Sequence, residues 1–244
     1  MKHITRRSAI STLGLAASLA YARERPTAFA LIGDRYHNSD YIRTALGKTI
    51  GTDLGLAIDF RDEVKLLDAK TLKDYKLLIM LRDGMLWPAG YPQQGAGWPE
   101  IVSEPPLPKI DPHPVYWITA AQGKAVKDFV AGGGGVLFYH NVTYISPHND
   151  DFRDVLGAVT EQHPPLRPFK VKVLNRNHPI TRGVNDFVVT DEQHFVNYQK
   201  DPKHLLLQSV NEMGSRTRAW AIPHRLDGRM TTVRAEYAIW RRDT

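Results

Sequence analysis

The sequence has no cysteine among its 244 residues. That absence excludes disulfides, thiolate metal ligands, a thiolate nucleophile and any lipid attached through sulfur. Long apolar runs are missing too. Beyond residue 22 nothing approaches the roughly 20 consecutive apolar residues that a membrane helix needs. Gly132–Gly135 is a glycine cluster, but no Gly-Lys-Ser/Thr follows it, so it reads as a turn and no nucleotide cofactor is expected. There is no internal repeat and no low-complexity tract. Lys and Arg outnumber Asp and Glu by 32 to 26, yet the surplus lies at the two ends. Residues 1–22 hold Lys2, Arg6 and Arg7 and no acid, and residues 215–244 hold seven arginines against three acids. A nucleic-acid groove would place its cations in the body of the fold, interleaved with aromatics, so no nucleic-acid partner is expected.

What is present begins with an address. Lys2 to Arg7 is a basic head, Ser8 to Ala22 is an uncharged Ala/Leu/Ser run, and Ala20-Tyr21-Ala22 is a small-x-small site before Arg23. This is the pattern of an export signal, too short to span a bilayer. Thr5-Arg6-Arg7-Ser8-Ala9-Ile10 resembles the twin-arginine export motif, with Ala9 where that motif prefers Phe. The expected product is one domain over 23–244, exported to the periplasm or beyond, with no membrane attachment once the signal is removed.

Apolar runs alternate with helical patterns. Thr27–Gly33, Leu56–Phe60, Lys76–Leu81 and Val136–Tyr139 read as strands; Ser39–Lys48, Asp68–Tyr75, Thr119–Ala131 and Asp150–Leu156 read as helices. Strand-then-helix repetition predicts an α/β sandwich with a mostly parallel sheet and helices on both faces. Residues 85–116 carry eight of the sixteen prolines and read as one long loop, either a functional lid or an insertion. After residue 160, Phe169–Leu174, Phe187–Thr190, His204–Val210 and Arg229–Val233 read as further strands. Ligands in open α/β sheets bind beyond the carboxyl ends of strands. That rule selects Gly33–His37, Arg82–Gly84 and His140–Asn141.

The ordered set Gly33-Asp-Arg-Tyr-His37, Gly132-Gly-Gly-Gly-Val-Leu-Phe-Tyr-His140, His163-Pro164, His178-Pro-Ile-Thr-Arg-Gly183 and Asp191-Glu192-Gln-His194 resembles the ThuA-like (trehalose-utilisation) family of the class I glutamine amidotransferase-like superfamily. The resemblance implies a flavodoxin-like three-layer fold and a part in the catabolism of trehalose-type or keto-modified sugars, hence a small carbohydrate as partner. Amidotransferases of that superfamily place a nucleophilic Cys where His140 falls, so glutamine hydrolysis is not expected. Many relatives have Tyr at the place of His194. They also continue with a Gly-His pair that is not found after Gly228-Arg229-Met230, and a truncated last element is expected there.

His37 and His140 end the first and fourth strands, which are expected to be neighbours. With Glu192 or His194 they form a candidate ligand set for one divalent metal, zinc first, leaving a position open; His37, His140 and His194 are the expected ligands. Asp191, Glu192 and His140 are the candidate catalytic groups, as base, acid or orienting partner. Tyr36, Asp83 and Asn141 are candidate hydroxyl-binding groups, and Trp87 a candidate stacking surface. His163-Pro164 and His178-Pro179 read as rigid turns rather than ligands. The residues thus point to a metal- or histidine-assisted hydrolase, lyase or isomerase; the alternative is a sugar-binding module that kept the fold without the nucleophile.

Overall fold

The computed structural model describes residues 26–88, 113–145 and 148–210, with the backbone alone of 218–220, 225–226 and 229–230. Residues 1–22, read above as an export signal, most of the proline-rich segment and residues 231–244 lie outside the described residues.

The four predicted apolar runs form one parallel sheet: β1 (Ala28–Ile32), β2 (Ile58–Arg61), β3 (Leu77–Leu81), and, after a two-stranded insertion, β6 (Gly135–Phe138). β1 is buried at every position because helices cover both faces. Alternation divides its side chains. Phe29 and Leu31, with Leu78, Met80, Val136 and Phe138, face α2 (Ala69–Leu72), α3 (Ala120–Ala131) and α4 (Asp150–Leu156). Ala28, Ala30 and Ile32, with Ile79 and Leu81, face α1 (Ser39–Leu46) through Ile42 and Leu46. Each large side chain so buried contributes about 1.5–3 kcal/mol. Helix starts follow local chemistry. Asn38 caps α1, Thr119 and Gln122 form a reciprocal capping box on α3, and Asn149 caps α4, which Gly157 ends at φ +74.

The strand order is β2-β1-β3-β6. The first and fourth strands are therefore not neighbours, contrary to the sequence expectation, since β3 lies between them. The chain leaves β1 toward one edge, then crosses back over it to build β3 and β6 on the other side. That reversal puts a crevice at the ends of β1 and β3, the usual ligand position in a flavodoxin-like order.

The proline-rich segment is not loop throughout. Its ends pair as a short antiparallel ladder, β4 (Met85–Leu86) with β5 (Val115–Tyr116). Beyond α4 the topology turns antiparallel. β8 (Arg167–Val173) pairs with β9 (Phe187–Asp191) and β11 (Leu205–Val210), and β11 with β12 (Arg218–Trp220). β7 (Ala158–Gln162) and β10 (Phe195–Tyr198), not foreseen as strands, form a separate pair. Of the expected strand at 229–233, Arg229–Met230 pairs as β14 with β13 (Arg225–Leu226). No helix among the described residues is long and apolar enough to cross a membrane.

Candidate metal centre

The turn after β1 starts at Gly33, whose φ of +81 suits glycine. A Cβ there would lie 1.9 Å from Ser39 Oγ. The turn buries Asp34, whose side chain is 1% exposed. Its carboxylate accepts from five donors: the backbone N–H groups of Tyr36, His37 and Asp83, His37 Nδ1 at 2.8 Å and Asn141 Nδ2 at 2.7 Å. One carboxylate thereby ties together the ends of β1, β3 and β6. Burial would raise the Asp34 pKa, but the His37 and Asn141 bonds outweigh it and hold the group below its ordinary range. For His37, burial works downward, and the bond and charge of Asp34 outweigh it to raise the imidazole pKa.

His140 follows β6 at φ +49, the only positive φ of a non-glycine residue among those described. A side chain held there is strained, and strain of this kind collects at functional turns. The turn aims the imidazole into a cavity of about 520 Å³, lined from the first sheet by Tyr36, His37, Asp83, His140 and Asn141. The opposite wall comes from the antiparallel half: Glu192 and His194, with His163 from the turn between β7 and β8. Tyr144, one turn after His140, lies against His163 and His194.

Three imidazoles surround one carboxylate oxygen. Glu192 Oε2 is 3.6 Å from His140 Nε2, 3.6 Å from His194 Nε2 and 3.9 Å from His163 Nδ1. None of these is a hydrogen bond. His194 is 3% exposed, and neither ring nitrogen has a hydrogen-bond partner. A buried polar side chain without partners is costly, at about 1–3 kcal/mol per group, unless something else satisfies it. Donor atoms of His140, Glu192 and His194 all lie within 4.8 Å of one another, so these three could hold a metal ion. Charge states agree with that use. Burial, reinforced by His194 and His37, pushes His140 down to about 3, leaving it neutral. Glu192 is held at about 2, first by His194 and then, against burial, by His163 and His140. A neutral imidazole and an ionised carboxylate are the forms that ligate metals. Across the cavity, burial and the neighbouring Asp34 push Asp83 up to about 6.

Residues 30–233 match the model of the family ThuA, trehalose utilisation. The chain belongs to the ThuA family. Solved structures agree on the fold. A ThuA-like protein from Parabacteroides merdae is 14% identical over 82% of this chain and 76% of its own, with a TM-score of 0.53. A ThuA-like protein from Bacteroides uniformis is 19% identical over 76% of this chain and 69% of its own, with a TM-score of 0.50. A β-galactosidase from Bacillus circulans sp. alkalophilus is 11% identical over 88% of this chain but only 29% of its own, at TM-score 0.51. No curated protein matches in sequence.

Of the candidate residues named from the sequence, the fold brings Tyr36, His37, Asp83, His140, Asn141, Glu192 and His194 to one cavity. His37 stands beside the three-donor group rather than in it: its ring lies 4.9 Å from that of His140 and its Nδ1 is on Asp34. Asp191 does not join the lining; its Oδ1 accepts from the backbone N–H of Glu192. Trp87 faces a neighbouring cleft, where the Arg35 guanidinium sits 4.8 Å from its ring centre. His178 stays in its own turn, accepting from the Ile180 N–H. Sequence reasoning missed Asp34 and Tyr144 and dismissed His163, whose ring stacks on His194 at 5.1 Å. No local signal marked His163, because the strand before it was not foreseen and its inward direction follows from the turn between β7 and β8.

Proposed function

We propose that this ThuA-family chain is an exported, metal-assisted enzyme acting on a carbohydrate of the trehalose or keto-sugar type. The observation that carries the reading is the buried, unpartnered His194, whose donor atoms lie within 4.8 Å of those of ionised Glu192 beside it and of neutral His140 on the facing wall. Two imidazoles and a carboxylate are a donor set that catalytic zinc uses, and zinc is the first ion to test. Bound there, a divalent ion supplies Lewis acidity and lowers the pKa of coordinated water toward neutrality.

The chain's own residues supply the rest. Asp34 fixes the His37 ring through Nδ1 and leaves Nε2 to the cavity, the arrangement by which a buried carboxylate orients a catalytic imidazole. His37 then holds or releases a proton at Nε2 across from Glu192 and His194. Asp83, with Oδ1 accepting from the Met85 N–H, presents its remaining oxygen as a second proton carrier or a hydroxyl partner. Tyr36 and Asn141 line the same wall as hydroxyl-binding groups. Export rests on the basic head and short apolar run of residues 1–22.

The test is turnover. Zinc-loaded protein starting at Arg23 is incubated with trehalose-type glycosides and their keto derivatives, and products are followed by NMR. Product formation that falls at least about 100-fold in His37→Ala, in line with the loss of a general acid–base group, supports the reading. Turnover indifferent to both His37→Ala and His140→Ala contradicts it.

A further inference from the structure

Glu192 and His194 belong to neither ladder beside them. β9 ends at Asp191 in the sheet it shares with β8, and β10 begins at Phe195 in the pair it forms with β7. Glu192-Gln193-His194 is thus a three-residue corner where the chain changes sheets. Strand pairing fixes register elsewhere in this half of the molecule but not here. Two residues of the candidate metal centre therefore stand on backbone that no ladder holds.

Something else must set their direction. Gln193, between them, is 0% exposed and points away from the cavity into the antiparallel half. Its Oε1 accepts from Arg167 Nη2 at 2.9 Å on β8, and its Nε2 donates to Ser209 Oγ at 2.8 Å on β11. Ser209 is also 0% exposed. Arg167 is steadied in turn, its guanidinium lying 5.9 Å from the Phe195 ring centre. One amide thus bonds to two adjacent strands of the second sheet. Glu192 and His194 both line the cavity while Gln193 between them does not, so the bonds that hold Gln193 toward β8 and β11 keep its two neighbours facing His140.

We propose that Gln193, held by Arg167 and Ser209, is the positioning residue that fixes the Glu192/His194 half of the metal centre. The proposal rests on the metal reading for its purpose but on the corner geometry for its existence, and the two are tested separately.

Zn²⁺ alone is titrated calorimetrically into the full chain, wild type, Gln193→Leu, Gln193→Glu and His140→Ala, with amide hydrogen exchange measured on the same metal-free samples. Gln193→Leu should raise the zinc Kd about 10–100-fold, the usual effect of losing a residue that orients a ligand. Gln193→Glu still accepts from Arg167 and can accept from Ser209, so it should recover most of that loss. In exchange, Gln193→Leu should open the 192–194 amides about tenfold faster while β8 and β11 keep their protection, two bonds of ordinary strength being removed from one local opening. Should Leu not fold, Ser209→Ala removes one bond and should give a smaller change in the same direction. A folded Gln193→Leu that keeps both the wild-type Kd and wild-type exchange overturns the proposal. Wild type binding zinc no better than His140→Ala refutes the metal reading alone; the corner is then decided by exchange, where no local acceleration overturns it.

Discussion

Replacing Asp34 by Ala should cost more than any other single change at the cavity. The carboxylate is 1% exposed and takes five donors, among them His37 Nδ1 and Asn141 Nδ2. Removing one side of a buried pair costs about 3–5 kcal/mol. The His37 side chain is 24% exposed, so water can reach part of the vacated site and the expected loss is near the lower end, about 3 kcal/mol. Against a typical total of about 5–15 kcal/mol this is a large fraction. Asp34→Asn keeps one acceptor but sets an amide N–H₂ against other donors, and should lose about 2 kcal/mol.

The pH dependence has a definite sign. His37 is raised above its ordinary 6.5, so its share of the stability is fully present below 6.5 and is lost as pH rises through the folded value. Asp34 is lowered below its ordinary 3.8, so its share is present above 3.8 and is lost as pH falls through the folded value. The difference between wild type and Asp34→Ala should therefore be greatest between those two ordinary values and shrink above and below them. Urea unfolding of both proteins across pH reads this directly. A difference under about 1 kcal/mol within that window, the size of an average point substitution, would refute the argument that Asp34 ties the three strand ends together.

Two further changes probe the frame around the cavity. At Gly84 a Cβ would come 2.7 Å from Tyr144 O and 2.9 Å from Ile145 Cα, both backbone, so Gly84→Ala should destabilise by about 1–3 kcal/mol in thermal or urea unfolding. Thr119→Ala removes the side-chain half of the α3 capping box and should cost about 1 kcal/mol, whereas Thr119→Ser should cost little.

The parallel half of the fold was legible because its signals are local. Apolar runs such as Ala28–Ile32 and Leu77–Leu81 are buried on both faces, and the apolar spacing of Thr119–Ala131 marks the helix that covers one of them. The order of the strands was not local and was misread: which edge each crossover takes depends on the face its helix covers. His37 and His140 were legible as strand ends, and their meeting followed even though β3 separates their strands. Asp34 was invisible because its value lies in partners at Asp83 and Asn141, far along the chain. Ala158–Gln162 and Phe195–Tyr198 were missed as strands because their runs are short and each draws its register only from the other. The Asp191-Glu192-Gln193-His194 motif was visible as chemistry. That Gln193 faces Ser209 and Asp191 turns from the cavity depends on the corner between two sheets, which spacing does not encode.

The proposed function requires that His140, Glu192 and His194 hold a metal ion. The most direct measurement is elemental mass spectrometry on untagged protein beginning at Arg23, purified without chelator, beside His140→Ala and His194→Ala shown by circular dichroism to be folded. About one zinc or similar divalent ion per chain is expected in the wild type, the content of a single three-donor site with an open position, and its loss in both variants. Metal-free wild type that takes up no zinc on addition, or variants that retain the ion, would contradict it.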